Sequence, residues 1–329
     1  MKFGEVPIGE AEGAILAHSH PLPKGRLRKG HVLEAKDIAA LEDIGRTSVV
    51  VAQLEAGDIE ENEAARRIAA ALVPEGSGLH VTRSATGRVN VLAAGAGVAE
   101  INVAAIHALN AINPMVTVAT VAPYARMIER GMVATVKIIA YGVREADVDA
   151  ACYAARGALM LHRPKYQTAR FIQTSLQDEE TDKGFEATKT RLAALGVSLV
   201  RDAIVPHEIA DLSAAITQAR GDFILILTAS ATSDIRDTVP ASLIAAGGEV
   251  DVFGMPVDPG NLLFFGTLDG KPVIGLPGCA RSPALNGADW VMERLLCGVA
   301  VTQQDISHMG VGGLLKEIAT RPHPRDLKI

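Results

Sequence analysis

Phe223-Ile224-Leu225-Ile226-Leu227-Thr228-Ala229-Ser230-Ala231-Thr232-Ser233-Asp234-Ile235-Arg236-Asp237 decides how the C-terminal half of this chain is read. Five apolar residues in a row, without alternation, describe a strand buried on both faces, as in parallel sheets covered by helices on either side. The run then changes to small, hydroxyl-bearing and acidic residues. A helical stripe begins at about Thr238, so the polar stretch is the loop between a central strand and a helix. Upstream, residues 170–174 read as a strand, and Phe185, Thr188, Leu192 and Leu195 share a helix face closed by Gly196. Residues 197–201 are a second strand, and Ile209, Leu212, Ile216 and Ala219 form another helical stripe. Downstream, a helix over 238–246 closes at Gly247-Gly248 and leads to a strand at 250–253. Segments 262–267 and 272–276 then bracket Asp269-Gly270, a hairpin signal, and a last helix carries Leu285, Trp290, Val291 and Leu295. This alternation predicts a three-layer α/β domain with a parallel or mixed sheet over residues 166–300.

The N-terminal half reads as two smaller α+β regions, 1–75 and 76–165. In the first, Lys29-Gly30-His31-Val32-Leu33, then Asp37-Ile38, Leu41 and Gly45, then Val49-Val50-Val51 describe turn, short helix and strand. The charged residues 58–67 continue into 68–72 as a helix. Pro74-Glu75-Gly76-Ser77-Gly78 resists both helix and ladder and marks a joint. In the second region, 79–83 and 88–93 flank Ser84-Ala85-Thr86-Gly87 as strand, turn and strand. Residues 101–112 read as a helix stopped by Asn113-Pro114, and 115–121 and 132–139 as strands. The acidic run 145–149 and Arg163-Pro164-Lys165 lead into the α/β domain. Residues 301–329 form a C-terminal tail, where Gly310, Gly312 and Gly313 read as a flexible turn before a packing or dimer-contact segment at 314–318.

With 48% hydrophobic residues and 31 glycines in 329, the chain can bury sizeable cores and punctuate them with tight turns. Its net charge of −6, with basic residues scattered among acidic ones, excludes the electrostatic stripe that a nucleic-acid partner requires. No apolar run approaches a membrane span, and the N-terminus lacks a secretory pattern. Cys152, Cys279 and Cys297 are an odd number at unrelated spacings, which reads as reduced thiols; the cytoplasm is the expected compartment. His18-x-His20 has no further ligands nearby and reads as a pair of surface histidines.

In open α/β sheets ligands bind beyond the carboxyl ends of the strands, so the loops after Leu227 and Leu276 are the candidate site. The first loop can receive a phosphate on its hydroxyls and backbone N–H groups at a helix N-terminus. Asp237 reads either as the N-cap of that helix or as a ligand of hydrated Mg²⁺. The second loop, Pro277-Gly278-Cys279-Ala280-Arg281-Ser282-Pro283, ends in a Ser-Pro pair suited to start a helix, and Arg281 can pair with an anion. Cys279 is a small loop residue or, close to a helix start, a reactive thiolate. A third loop, Met255-Pro256-Val257-Asp258-Pro259-Gly260-Asn261, lies between strands.

Together these loops resemble the molybdopterin-binding domain of molybdopterin molybdenumtransferase, the gephyrin E domain and the molybdopterin adenylyltransferases. That family's Thr-Gly-Gly-x-Ser-x-Gly-x-x-Asp aligns without gaps on Thr228 to Asp237, its Pro-Gly-Lys-Pro turn on Pro259-Gly260-Asn261-Leu262, and its Leu-Pro-Gly-Asn-Pro-x-Ser on Leu276 to Ser282. Thr174-Ser175 resembles its first strand and turn, and residues 8–51 are more weakly similar to an N-terminal part of the molybdenumtransferase. The resemblance implies molybdopterin as ligand, in free, adenylylated or molybdenum-loaded form. Around it would stand Thr174, Thr228, Ala229, Ser230, Thr232, Pro259, Gly260, Asn261, Pro277, Gly278, Cys279, Arg281 and Ser282. Asp237 and Asp234 would hold Mg²⁺ and act as the catalytic carboxylates. The departures are Ala229, Ser230 and Asp234 for glycines, Asn261 for the turn lysine and Cys279 for asparagine, and no counterpart of the family enzyme's C-terminal β domain is expected in the roughly 30 residues after the last helix. Three activities follow from the resemblance: Mg²⁺-assisted molybdenum insertion, a non-catalytic cofactor carrier serving a nucleotidyltransferase or apo-molybdoenzyme, and a nucleotide pyrophosphate hydrolase of the competence-damage-inducible type. A homo-oligomer is expected by analogy with multidomain relatives.

Overall fold

A computed structural model describes residues 1–176 and 182–315, in two compact units: Met1–Gly95 with Ala99–Leu161, and Ala96–Val98 with the chain from His162 onward.

The first unit opens with β1 (Lys2–Pro7), β2 (Ile15–Leu16), β3 (His20–Pro21), β4 (Arg26–Leu27), α1 (Ala35–Asp43) and β5 (Ser48–Gln53). β5 lies between β1 and β2, antiparallel to both, over a core that includes Ile8, Leu16, Leu33, Leu41, Val49 and Val51. Helix α1 starts where expected because Glu34 and Asp37 form a capping box, and Gly45 (φ 77°) lets the chain turn after it. Next come β6 (Asp58–Glu60), α2 (Glu61–Leu72), β7 (Leu79–Val81), β8 (Arg88–Ala93), β9 (Gly97–Ile101), α3 (Val103–Asn110), β10 (Val116–Thr120), β11 (Ala125–Met127), β12 (Met132–Ile138), β13 (Gly142–Arg144), α4 (Glu145–Ala154) and β14 (Leu159–His162). Their main sheet is antiparallel, ordered β10-β12-β8-β7.

Sequence and structure differ in this unit in three places. The buried face of α2 (Ala64, Ala65, Ile68, Ala69 and Leu72) shares one core with Val91, Val116, Val136 and Leu159, so residues 74–78 run inside a packing unit. The helix expected from 101 begins at Val103, because Asn102 accepts the Ala105 N–H as N-cap and Ile101 belongs to β9. The acidic run from 145 is the first turn of α4, where Glu145 and Asp147 complement the helix dipole.

The second unit contains β15 (Thr168–Ser175), α5 (Lys183–Ala193), β16 (Ser198–Pro206), α6 (Ile209–Gln218), β17 (Ile224–Leu227), α7 (Thr238–Ala245), β18 (Glu249–Phe253), β19 (Phe264–Leu268), β20 (Lys271–Leu276), α8 (Gly287–Leu296) and α9 (Gln303–His308). Its six-stranded sheet runs β16-β15-β17-β20-β19-β18; the first four strands are parallel, and β19 and β18 complete it antiparallel. This is the expected mixed α/β sheet, with Asp269 (φ 51°) and Gly270 (φ 72°) forming the tight turn between β19 and β20. All four residues of β17 are buried. Ile224 and Ile226 pack with Leu212, Ile216, Val239 and Leu243 of α6 and α7. Leu227 points to the opposite face, against Gly184 of α5, where an added Cβ would stand 2.2 Å from its Cδ2. Phe171 joins that face through an edge contact with Phe185 of α5, centroids 5.5 Å apart. Two helices on one face and α5 on the other make three layers.

The tail glycines lie in and just after the expected turn, which spans 309–312. After α9 the chain returns against the 256–258 loop, pairing Leu314 with Asp258, and a Cβ on Gly313 would lie 2.7 Å from the carbonyl oxygens of both Met309 and Pro256. Small residues are needed for that backbone approach. The expected contact segment at 314–318 extends beyond Leu315, outside the described residues.

Gly266 of β19 faces β18 where its register shifts, and a Cβ there would meet the Glu249 carbonyl oxygen at 1.9 Å. Gly266→Ala should therefore destabilise the α/β unit by about 1–3 kcal/mol, read as a lower urea midpoint; an unchanged midpoint would show that β18 is not closely paired.

Candidate functional site

β16 and β17 flank β15, so the direction in which successive strands are added reverses between β15 and β17. The two connecting helices leave to opposite faces there, opening a crevice beyond the carboxyl ends. Register sets Gln173 beside Leu227 and Leu227 beside Leu276, so Thr174, Thr228 and Pro277 emerge next to one another. The structure thus brings together the loops that the sequence singles out, and sorts their residues by exposure.

Thr174, Thr228, Thr232, Pro259, Gly260 and Pro277 are buried, whereas Ser230, Asp234, Asn261, Cys279 and Ser282 are exposed and Ala229, Gly278 and Arg281 half-buried. The buried hydroxyls tie loops together. Thr174 Oγ1 accepts the Ala229 N–H at 2.7 Å, and Thr228 Oγ1 donates to the Ser230 carbonyl at 2.7 Å. The amides of Ser230, Ala231 and Thr232 have no acceptor among the described residues, so three consecutive donors remain in this loop.

Both loop carboxylates are engaged by the protein. Asp237 accepts from the Ser233 N–H at 3.0 Å and the Thr238 N–H at 2.8 Å, which makes it the N-cap of α7. The helix N-terminus therefore already carries a negative charge of its own. Asp234 is bound by the exposed Arg236, Oδ1 to Nε 2.9 Å; that hydrogen bond first, and the Arg236 N–H second, hold its pKa at about 2.

Arg281 lies differently. Its Nη2 donates to the Thr228 carbonyl at 2.7 Å, and no carboxylate among the described residues pairs with it. Burial pushes its pKa below the ordinary guanidinium value, yet an arginine stays charged at neutral pH. A cation with reduced hydration, and with no counter-ion among the described residues, attracts an anion more strongly than a solvated one. Beside it opens a pocket of about 330 Å³ lined by Lys183, Glu186, Ala187, Thr190, Arg281 and Pro283, in which Glu186 is paired with Lys189 at 3.6 Å.

The loop after β20 is not a helix start at Ser282-Pro283. A 3-10 turn spans Gly278–Arg281, and α8 begins at Gly287, where Asn286 and Asp289 form a capping box that outcompetes the earlier serine. Arg191 of α5 holds the intervening chain: its guanidinium donates to the carbonyls of Ala280 (2.9 Å), Ser282 (2.6 Å) and Ala284 (3.0 Å) and pairs with Asp289 at 2.6 Å. Asn286 Nδ2 lies 3.1 Å from Cys279 Sγ, and the Pro259 carbonyl accepts the Gly287 N–H at 2.8 Å, so the third loop joins the same edge. Gly260 (φ 142°) is required there, since a Cβ would stand 2.9 Å from the Gly287 nitrogen. The Asn261 carboxamide folds back on its own turn, within 3.2 Å of the Val257 carbonyl and 3.3 Å of Asp258 Oδ1.

Sequence reasoning missed Arg191, Asn286, Asp289 and His207. Asn286-x-x-Asp289 carries a capping signal that was legible. Arg191 sits on a helix face like any surface arginine, and His207 follows a strand with nothing local to mark it.

A family model described as a domain of unknown function, DUF8806, matches residues 5–53. No curated protein matches the sequence. Among solved structures, the chain is similar to a molybdopterin biosynthesis MoeA protein from Pyrococcus horikosii, with 15% identity, 90% of this chain and 75% of that one covered, and a TM-score of 0.32. It is also similar to the protein CinA, of unknown function, from Thermoplasma acidophilum, with 15% identity, 35% and 90% coverage and a TM-score of 0.30. Likenesses this low do not bear on activity. Among the described residues, no helix is long and apolar enough to cross a membrane, and no cluster of three or more His, Cys, Asp or Glu has metal-binding geometry.

Two outcomes follow from the site's electrostatics. Arg191→Met removes the guanidinium that pairs with the buried Asp289 and should cost about 3–5 kcal/mol, measured by urea denaturation; a loss below about 1 kcal/mol would mean that the pair does not hold the loop. Because the Asp234 pKa is depressed, its contact with Arg236 persists above pH of about 2 and is lost as pH falls through that value. Arg236→Ala should move the Asp234 carboxyl titration, followed by NMR, upward toward the ordinary aspartate value of about 3.9.

Proposed function

We propose that the α/β unit binds molybdopterin, or its adenylylated or molybdenum-loaded form, with the ligand's phosphate at the edge formed by the loops after β15, β17 and β20. The observation that carries this reading is Arg281, half-buried beside the Thr228 carbonyl with no carboxylate partner among the described residues. The amides of Ser230, Ala231 and Thr232 supply further donors, and the ordered resemblance of the three loops to molybdopterin-binding sequences supplies the pterin. Ser282, Gly278 and Cys279 line the exposed part of the same edge. A phosphate fits this donor set, because a cation and backbone N–H groups face it and the two nearby carboxylates are already engaged.

Mg²⁺ fits less well. The metal would neutralise phosphate charge in molybdenum insertion, but Asp237 caps α7 with one oxygen and takes the loop N–H of Ser233 with the other, and Asp234 is held by Arg236. Their contacts, and an Asn261 turned onto its own loop where the resemblance has a lysine, favour binding without turnover. On this reading the protein is a cofactor carrier that hands its ligand to a nucleotidyltransferase or an apo-molybdoenzyme. Metal insertion by a molybdenumtransferase-like enzyme is the second reading, and it requires Asp237 and Asp234 as metal ligands.

Calorimetry of the full chain with molybdopterin under anaerobic conditions tests the proposal. Binding should weaken about 10- to 100-fold in Arg281→Ala, the effect of losing a hydrogen bond to a charged group. No heat with any of the three pterin forms would end it. Incubation with adenylylated molybdopterin, Mg²⁺ and molybdate separates the readings: a carrier releases no AMP, and AMP release lost in Asp237→Asn establishes the enzyme.

A further inference from the structure

His207 follows the last residue of β16, and its N–H donates to the Ser175 carbonyl at 3.0 Å, which fixes its backbone to the neighbouring strand. Its ring is tethered as well: Nδ1 lies 3.0 Å from Thr174 Oγ1, the oxygen that accepts the Ala229 N–H at 2.7 Å. Groups from β16, β15 and the loop after β17 thus converge on one hydroxyl that is only 1% exposed. A hydroxyl has one proton and two lone pairs. With one lone pair taken by the amide, the hydroxyl can give its proton to Nδ1 of the imidazole, and in that arrangement the ring's own proton is on Nε2. Among the described residues Nε2 has no partner, and the ring is half-exposed. A chain of short contacts, His207 to Thr174, Thr174 to Ala229 and, one peptide unit away, Thr228 to Arg281, links imidazole to guanidinium along this edge.

We infer that His207 is a ligand-contacting residue of this edge: it donates from Nε2 to an anionic oxygen of the same phosphorylated ligand that Arg281 pairs with, and Thr174 is the positioning residue that sets its tautomer. This rests on the anion-binding reading given above. The arrangement explains why Thr174 is buried at a ligand edge. Its hydroxyl serves the imidazole and the loop amide instead of the ligand.

The test uses the full chain, inorganic pyrophosphate and orthophosphate as probes, calorimetry for affinity and ¹⁵N NMR for the imidazole nitrogens. Wild type should show the Nε2–H tautomer and a shift of the Nε2 resonance on saturation with pyrophosphate. His207→Ala should bind pyrophosphate about tenfold more weakly, the scale of a hydrogen bond to a charged group, whereas His207→Gln, which can place an amide nitrogen near the Nε2 position, should stay within about threefold. Thr174→Val should mix the tautomers. Wild-type affinity in His207→Ala together with an unmoved Nε2 resonance overturns the inference. If Arg281→Ala then still abolishes binding, the anion-binding edge stands without His207. If His207→Ala weakens binding and Arg281→Ala does not, His207 stands and the role of Arg281 falls. If wild type binds neither probe, both fall together.

Discussion

The parallel pairing of β15, β17 and β20 is the constraint on which the site depends. Parallel strands all end at the same edge, and the one-to-one register of Gln173, Leu227 and Leu276 leaves the polar residues that follow them no other place to emerge. β17 is apolar through both faces because α6 and α7 cover one side and α5 the other, so the change to hydroxyl and acidic residues after Leu227 coincides with the edge of the core. Roughly 25 cal/mol per Å² of buried apolar surface stabilises that arrangement. The polar loop contributes little to it and is available for recognition.

What makes the edge specific is how its polar groups are allotted. Arg191, buried with Asp289, takes three carbonyls of the 280–284 chain and so holds the loop that carries Arg281. A buried pair of this kind is a weak contributor to net stability and a strong determinant of geometry. The carboxylates go the other way: one caps a helix, the other is held by Arg236, and neither faces Arg281 as a counter-ion. The edge therefore presents both a cation and backbone amides, in a chain whose net charge is −6. The exposed Cys279 sits within this donor set, in contact with Asn286, whereas the Cys297 thiol is pushed up to about 12 by burial and is inert by comparison.

Much of this was legible residue by residue. The apolar run ending at Leu227, the stripe at Leu212 and Ile216, Asp269-Gly270 and the cap at Asp237 each express a local rule of burial, periodicity or backbone conformation, and each appears in the structure where the rule puts it. Local rules failed where two valid signals competed. Ser282-Pro283 and Asn286-x-x-Asp289 both announce a helix start, and only the second forms a capping box, whose carboxylate Arg191 pairs with from another helix. Gly313 looks like slack in one dimension and proves to be a close backbone approach to Pro256 in three.

Periodicity and composition alone determined the class of fold, the order of its strands and helices and the loops that could meet a ligand, because burial imposes its pattern on each segment independently. Which strands became neighbours, that Thr174 would be buried between His207 and Ala229, and that Arg281 would donate to the Thr228 carbonyl with no carboxylate partner among the described residues were decided only by the tertiary structure. Hydrogen bonds and ion pairs join residues tens of positions apart, and their partners depend on where the whole sheet brings the chain back to itself.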